Sequence, residues 1–211
     1  MTVVALTGGI AAGKTTVTDV LRERGIAIVD ADVLARDAVA PGSPGLSRVV
    51  EALGPGILTE GGELDRAALG QKVFGDHDAR ERLNQIVHPE VHRLSHEAFR
   101  AHEEAHPEVP LVYAVPLLVE SGRSDEFDAV VVVHTPRDER IQRLVEHRGM
   151  DLSEATTRVD AQANDEQRLE AADCVLDSAQ SQAHTEKSAQ ALADALWSVW
   201  PHVERLPRSF P

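Results

Sequence analysis

The sequence predicts a three-layer α/β fold, in which helices cover both faces of a parallel sheet. Short runs of mostly β-branched residues recur along the chain, and they are nearly continuous in apolar character, as in strands buried on both faces. Segments with helical spacing of apolar residues separate these runs, which favours strand–helix–strand crossovers. The predicted strands are residues 3–6, 26–29, 111–115, 129–133 and 174–176.

Length and composition limit the kinds of protein that this chain can be. Its 211 residues, 42% of them hydrophobic, are enough to bury a core. The formal net charge of −14 predicts no nucleic-acid partner, because the overall field repels a polyanion. The single cysteine, Cys174, excludes an internal disulfide framework. Neither a secretory signal pattern nor an apolar run of membrane-spanning length is present, so we expect a cytoplasmic protein without a membrane partner.

The turn after the first strand carries the clearest motif. Residues 8–15 read Gly-Gly-Ile-Ala-Ala-Gly-Lys-Thr and match G-x-x-x-x-G-K-[ST] between a strand and a helix, which is the context of a P-loop. In such a loop, backbone N–H groups converge on phosphates, Lys14 reaches the outer phosphates and the Thr15 hydroxyl binds Mg²⁺. The alternative, an ordinary glycine-rich turn, is disfavoured by the flanking strand and helix. We therefore predict a P-loop NTPase fold with ATP as phosphoryl donor, bound by Gly9, Ile10, Ala11, Ala12, Gly13, Lys14, Thr15 and Thr16.

Two aspartates, Asp30 and Asp32, follow the second predicted strand. They lie at the carboxyl edge of the predicted sheet, where open α/β sheets bind their ligands. Asp32 is suited to accept the proton of an acceptor hydroxyl, or to orient that hydroxyl toward the γ-phosphorus. Asp is also a favoured N-cap residue, so the spacing leaves open that both aspartates only cap the next helix.

Two helical segments interrupt the predicted core. Residues 41–106 begin rich in glycine and proline and continue as polar helices, with breaks expected at Gly75 and Pro89. Residues 138–171 are charged and helical in pattern, and they are predicted to form a lid. The core then comprises residues 1–40, 107–137 and 172–200, while residues 201–211 are predicted to be a tail or linker.

Two arginines of the charged segment, Arg140 and Arg143, lie within one helical turn of each other. Closure of this helix over a nucleotide would bring cations to the developing phosphoryl charge and exclude water. The alternative is a solvated face on which the arginines pair with Asp138, Glu139 and Glu146.

Three other patterns are set aside. His102 and His106 belong to an H-E-x-x-H sequence, but Pro107 follows at once and disfavours helical geometry at His106. His88, His92 and His96 recur every four residues, but Pro89 is expected to open the helix and leave His88 at its cap. Cys174 lies in an apolar strand and is expected to be a small buried hydrophobe.

Taken in order, the motifs resemble the dephospho-coenzyme A kinase family from the first strand to about residue 178. The residues that carry the resemblance are Thr7, Gly8, Gly9, Ile10, Gly13, Lys14, Thr15 and Thr16; Asp30, Ala31, Asp32, Ala35 and Arg36; Leu83, Asn84, His88 and Pro89; residues 115–120; Arg143 and Arg148; Gln162; and Ala172 and Asp173.

The resemblance implies ATP-dependent phosphorylation of the ribose 3′-hydroxyl of dephospho-coenzyme A, with Mg²⁺. It implies a core like that of the nucleoside-monophosphate kinases, with residues 41–106 as the acceptor-binding insertion. Lys14, Asp32 and Arg140 would be catalytic, with Asp32 as the acceptor-side base. Arg140 and Arg143 would also bind ATP from the lid, and the acceptor would be bound by Asp32, Arg36, His88, Pro116 and Leu117.

Two departures from the family pattern stand out. Ala11 and Ala12 replace a usual Gly-Ser pair, and Ser178 replaces a usual asparagine after the last strand. Alanine keeps the loop side chains small enough for close approach of the backbone to phosphate, so activity should survive.

Two other functions would also be consistent with the phosphate loop. A kinase of a nucleoside monophosphate or another small metabolite would use the same phosphate loop, but residues 115–120 and the His88-Pro89 pair favour coenzyme A. A nucleotide-dependent switch would also contain the loop. The chain lacks an Asn-Lys-x-Asp guanine-recognition motif. Asp30 and Asp32 offer a place for an acceptor hydroxyl.

Overall fold

A six-stranded sheet forms the centre of the computed structural model, which describes residues 1–210. Its strands are β1 (Val4–Thr7), β2 (Ala27–Asp30), β3 (Leu111–Ala114), β4 (Ala129–His134), β5 (Cys174–Asp177) and β6 (Ser209–Phe210). Their order is β2-β3-β1-β4-β5-β6. β1 pairs in parallel with β3 and β4, and β5 pairs in parallel with β4 and β6. The predicted parallel sheet is confirmed.

Helices occupy most of the chain between the strands. They are α1 (Lys14–Glu23), α2 (Ala31–Asp37), α3 (Pro44–Leu53), α4 (Arg66–Val73), α5 (His77–Ala105), α6 (Arg137–Arg148), α7 (Leu152–Asp160), α8 (Asp165–Glu170) and α9 (Gln182–Val199). No helix within residues 1–210 has the length and apolar character needed to cross a lipid bilayer.

The chain divides into two compact units. The core unit comprises Met1–Val29 and the chain from Ala101 onward, and the insertion unit comprises Asp30–Arg100. The insertion unit begins eleven residues before residue 41, the predicted start of the insertion, and ends six residues before residue 106, its predicted end. The role of that insertion in acceptor binding stays a prediction.

The central strands of the core unit, β1, β3 and β4, are buried on both faces. Val4 and Leu6 of β1 join a cluster that includes residues of α1 and α9, whereas Ala5 between them joins a second cluster with Leu118. Side chains alternate across a strand, so adjacent residues reach opposite layers. This arrangement confirms the three-layer α/β fold. Cys174 of β5 is fully buried in the first cluster, and burial raises the pKa of its thiol to about 12.

Local capping defines the helices of the insertion unit. The Ser43 hydroxyl accepts a hydrogen bond from the Leu46 N–H at 3.1 Å and begins α3. The Asp65 carboxylate accepts from Ala67 and Ala68 and begins α4. The unit has its own apolar cluster, formed by the buried residues Val39, Leu46, Val49, Leu53, Ile57 and Ala79.

The predicted helix break at Pro89 is wrong. α5 runs without interruption from His77 to Ala105 with Pro89 inside it. An interior proline removes one backbone hydrogen bond and costs a helix about 3 kcal/mol. Burial opposes that cost, because Ser95 and Phe99 of α5 are buried and Ile86 packs on the unit's apolar cluster. The break at Gly75 is confirmed, since Gly75 lies between α4 and α5 with φ +77.

The predicted tail or linker contains a strand. Ser209 and Phe210 form β6, which pairs with β5 through Val175 and Leu176. Phe210 is 6% exposed and belongs to the main core cluster. A two-residue strand carries too short a pattern to be seen in sequence, and the prolines nearby indicated irregular structure. Pro211, the last residue of the predicted tail, lies outside the described residues.

Candidate active site

The phosphate loop joins β1 to α1, as the motif predicts. Its last glycine, Gly13, has φ +95 and serves as the N-cap of α1, which begins at Lys14. Ala11 also has a left-handed backbone, with φ +61, a conformation that costs a residue with a Cβ roughly 1–2 kcal/mol. Left- and right-handed residues that alternate in a turn gather backbone N–H groups into an anion-binding concavity. The partly buried Lys14 and exposed Thr15 form the first turn of α1.

Three glycines of this loop lie where a side chain would not fit. A Cβ on Gly8 would lie 2.7 Å from the backbone oxygen of Val133 in β4. A Cβ on Gly9 would collide with the Arg140 guanidinium. A Cβ on Gly13 would approach the Ser178 hydroxyl to 2.5 Å. The glycines thus allow Arg140 and the segment after β5 to approach the loop backbone closely.

Arg140 of α6 is the most buried cation at the loop. Its side chain is 2% exposed, its Nε donates to Thr135 O at 3.0 Å and its Nη2 donates to Asp165 Oδ1 at 2.7 Å. Its Nη1 lies against Gly9 and has no hydrogen-bond acceptor among residues 1–210. An unpaired buried donor is costly, so this atom is a candidate partner for an anion. The alternative pairing of Arg140 with its helix neighbours is not what the structure shows.

Arg143, one turn further along α6, binds three segments of the chain, two through backbone carbonyls and one through a side-chain hydroxyl. Its Nη1 donates to Ala11 O at 3.3 Å and to Thr135 Oγ1 at 3.2 Å, and its Nη2 donates to Ser178 O at 2.5 Å. Thr135 in turn donates to Ala12 O at 3.2 Å. Arg143 therefore contacts the loop and the segment after β5; its predicted contact with ATP stays a prediction.

Beside Arg140 lies a charged cluster that sequence reasoning missed. Arg168 of α8 has a side chain only 5% exposed, and its Nη2 donates to Glu120 Oε1 at 3.3 Å and to Gln162 Oε1 at 3.4 Å. Burial, and then repulsion by Arg140, lower the pKa of Arg168. The family pattern included Gln162 and Glu120 without assigning them roles. The surrounding residues are mostly charged, so no local sequence signal marked Arg168 as buried.

The acceptor-side candidates of the insertion unit lie on α2 and α5. Asp30 is the N-cap of α2, and its Oδ1 accepts from the Asp32 N–H at 2.8 Å and the Val33 N–H at 3.4 Å. The capping alternative therefore holds for Asp30. The Asp32 and Arg36 side chains, one helical turn apart on α2, are exposed, as is His88 on α5.

The other acceptor-side candidates, Pro116 and Leu117, follow β3 in the core unit. Pro116 is partly buried, and its carbonyl oxygen accepts from Thr7 Oγ1 at 3.4 Å. Leu117 is 52% exposed, whereas the next residue, Leu118, is buried.

The histidine patterns have local explanations. α5 ends at Ala105, as Pro107 predicts, and His102 Nε2 lies 2.9 Å from Val109 O. Because α5 is continuous, His88 lies within the helix, contrary to the expectation that it caps a helix. The next two histidines, His92 and His96, bring their Nε2 atoms within 3.1 Å of each other.

Comparisons with known proteins agree on one family. A family model described as dephospho-CoA kinase matches residues 2–184. A dephospho-CoA kinase from Leifsonia xyli subsp. xyli is 46% identical over 198 residues, which cover 94% of this chain and 98% of that relative. A crystal structure of the protein TT1252 from Thermus thermophilus superposes with a TM-score of 0.74 at 32% identity, covering 92% of this chain and 97% of that one. A dephospho-CoA kinase structure from Campylobacter jejuni, with a TM-score of 0.73 at 22% identity and coverage of 93% and 97%, shares the fold.

Proposed function

The chain belongs to the dephospho-CoA kinase family and is an ATP-dependent kinase of dephospho-coenzyme A, and we propose that its phosphate loop, its lid arginines and Asp32 carry out the transfer. The reaction moves the γ-phosphoryl group of ATP to the ribose 3′-hydroxyl and yields coenzyme A and ADP. The observation that best supports this division of roles is the Arg140 guanidinium, which is buried against Gly9 with its Nη1 lacking an acceptor among residues 1–210.

On the donor side, the loop binds the phosphates and Arg140 stabilises the charge of the transferring group. The backbone N–H groups of the loop and the start of α1 offer partial positive charge. Lys14 adds a full charge at the outer phosphates. Arg140 is held by Thr135 and Asp165 before the nucleotide binds, so little reorganisation is needed as charge develops. Arg143 holds the loop in place and contributes a third cation, after Lys14 and Arg140.

On the acceptor side, Asp32 accepts the proton of the 3′-hydroxyl or orients that hydroxyl. Asp30 already caps α2, which leaves the exposed Asp32 carboxylate to serve a substrate. Arg36, one turn along α2, offers a cation for the phosphates of the acceptor. His88, Pro116 and Leu117 complete the proposed acceptor set.

Thr15 fits a magnesium ligand. Its hydroxyl is a neutral hard oxygen on an exposed side chain in the first turn of α1, the type of donor that joins phosphate oxygens and waters around Mg²⁺. When bound, the ion neutralises charge on the outer phosphates. We also infer a cytoplasmic location and no nucleic-acid or membrane partner.

An ADP-release assay with Mg-ATP tests the acceptor directly. It compares no acceptor, dephospho-coenzyme A, AMP and shikimate, with the product mass verified. We expect release only with dephospho-coenzyme A. ADP release with AMP or shikimate would show that the enzyme uses a different acceptor. Steady ADP release without any acceptor would indicate a nucleotide-dependent switch.

Variants of two aspartates on α2 test the proposed base. Asp32→Asn should lower kcat by about 10²–10⁴-fold with little change in the KM for ATP, because general-base catalysis contributes about that much. Asp37→Asn, at the other end of the same helix, is the control and should keep wild-type turnover. Equal kcat values for the two variants would remove Asp32 from the mechanism.

A further inference from the structure

One amide of the phosphate loop is already occupied by a side chain. The Ile10 N–H donates to Gln162 Oε1 at 2.7 Å, across 152 residues of sequence. The bond is short for an N–H donor and an oxygen acceptor. Ile10 follows Gly9, the residue on which the Arg140 guanidinium lies. The contact therefore fixes the loop where Arg140 meets it.

The Gln162 oxygen is itself held in place. Arg168 Nη2 lies 3.4 Å from it and 3.3 Å from Glu120 Oε1, and that same carboxylate oxygen accepts from the Ala163 N–H at 2.9 Å. Gln162 and its neighbour Ala163 are thus anchored to one buried arginine and its carboxylate. A charge buried this deeply is costly unless it is paired. Arg168 is paired with Glu120 at 3.3 Å and with Asp165 at 3.6 Å, although its Nη1 makes no hydrogen bond within residues 1–210.

The same cluster also reaches Arg140. Asp165 Oδ1 accepts from Arg140 Nη2 at 2.7 Å and lies 3.6 Å from Arg168 Nη1. Arg168 therefore neighbours both the group that holds the loop amide and the group that holds the lid arginine. A displacement of Arg168 would disturb the two together.

From these contacts, and resting on the proposed roles of the loop and Arg140, we propose that Gln162 is a positioning residue for phosphoryl transfer. Its side-chain oxygen fixes the Ile10 amide beneath Arg140, and Arg168 with Glu120 fixes that oxygen. The loop and the cation then keep their relative position before ATP arrives. Misplacement of reacting groups by about 1 Å can cost about 10²-fold in rate.

An inhibitory role for Gln162, as a competitor of ATP, would have the opposite effect on ATP binding and kcat. If the Gln162 oxygen only occupied the place of a phosphate oxygen, it would compete with ATP for the Ile10 N–H. Removing it would then tighten ATP binding and leave kcat equal or higher. As a positioning residue, Gln162 should influence kcat far more than the KM for ATP.

The test replaces Gln162 by leucine, which has a similar size and no acceptor. We expect Gln162→Leu to lower kcat about 10- to 100-fold with little change in the KM for ATP. Arg158→Met is the control, since Arg158 is an exposed lid arginine paired with Glu154, and it should keep wild-type kcat. Tighter ATP binding with undiminished kcat would overturn the proposal.

A double-mutant cycle separates positioning from a general structural role. Arg168 also contacts Asp165, which holds Arg140, so only part of its effect runs through Gln162. Arg168→Met should therefore cost measurably less in kcat, but still something, when Gln162→Leu is already present. Additive losses would overturn the proposal.

Amide hydrogen exchange at Ile10 gives a readout that needs neither ATP nor acceptor. Gln162→Leu should speed the exchange of this amide in the folded protein, and unchanged exchange would also overturn the proposal. The assay of the wild-type enzyme with different acceptors tests the proposed function independently of this result.

Discussion

At the residue scale, the site depends on single atoms that local sequence cannot specify. The motif predicts that Gly13 must be glycine, and the structure supplies two reasons: its φ of +95 and the Ser178 hydroxyl beside it. That hydroxyl is fixed by a 2.8 Å contact with Thr185 Oγ1. Ser178 thus fills space beside the loop at the position where the family pattern has asparagine.

Gly13→Ala should therefore damage catalysis as well as stability. The left-handed backbone costs alanine roughly 1–2 kcal/mol, and the displaced Ser178 should shift the loop, lowering kcat/KM for ATP by about 10- to 100-fold. Steady-state kinetics and urea unfolding measure the two effects. Gly25→Ala is the matched control, because Gly25 follows the other end of α1 with φ +78 and its added Cβ would meet Trp197 only at 3.7 Å. The control should lose stability alone, and equal kinetics for the two variants would contradict the prediction.

At the element scale, α5 shows how burial overrides a local signal. Glu90, the residue after Pro89, has a side chain only 8% exposed. Its carboxylate binds Arg93 at 2.6 Å and Arg48 of α3 at 3.3 Å. Hydrogen bonding from Arg93 is the main cause that lowers the pKa of Glu90, while burial opposes the shift. This pairing links α5 to α3 within the insertion unit.

Glu90→Gln should destabilise the protein by about 1–3 kcal/mol at pH 7, because it removes hydrogen bonds to a charged group. Since the pKa of Glu90 is lowered in the folded state, its contribution is present above the ordinary carboxyl pKa of about 4.3 and is lost as the pH falls through the lowered value. The difference between wild type and variant should thus shrink below about pH 4. Urea unfolding at a series of pH values measures it.

Glu97→Gln provides the control for that series. Glu97 binds the same Arg93 but is 49% exposed, so its loss should cost at most about 1 kcal/mol. If the two variants lost equal stability at pH 7, the burial of Glu90 would not be the cause.

At the scale of the whole molecule, the arginines near the phosphate loop contrast with the acidic composition of the chain. The chain carries 35 acidic and 21 basic residues, yet Arg140, Arg143 and Arg168 meet at or beside one loop. We therefore expect phosphate recognition to be a local property, produced by backbone N–H groups and a few cations. The remaining surface should repel polyanions.

Fluorescence anisotropy with a labelled 20-base-pair DNA duplex tests whether the surface repels polyanions. Non-specific binding proteins typically show Kd values of about 10⁻⁴–10⁻⁶ M at physiological salt. We expect weaker binding than that range, because few phosphates can be neutralised at once. A Kd of about 10⁻⁶ M with a steep salt dependence would reveal a basic surface and contradict the prediction.

The amino-acid sequence by itself determined the strands β1 to β5, the phosphate loop, the helix that follows it and the family. The strands, the loop and the helix are each encoded within a few neighbouring residues, by periodicity, glycine placement or a motif. The family follows from the order of several such motifs along the chain. Only the tertiary structure decided that Pro89 lies within α5, that Ser209 and Phe210 form an edge strand of the sheet, and that Arg168 is buried beside Gln162. These features depend on contacts between residues far apart in the chain, such as the 152 residues between Ile10 and Gln162. The free energy that favours them comes from burial and pairing in the folded molecule, which no local pattern records.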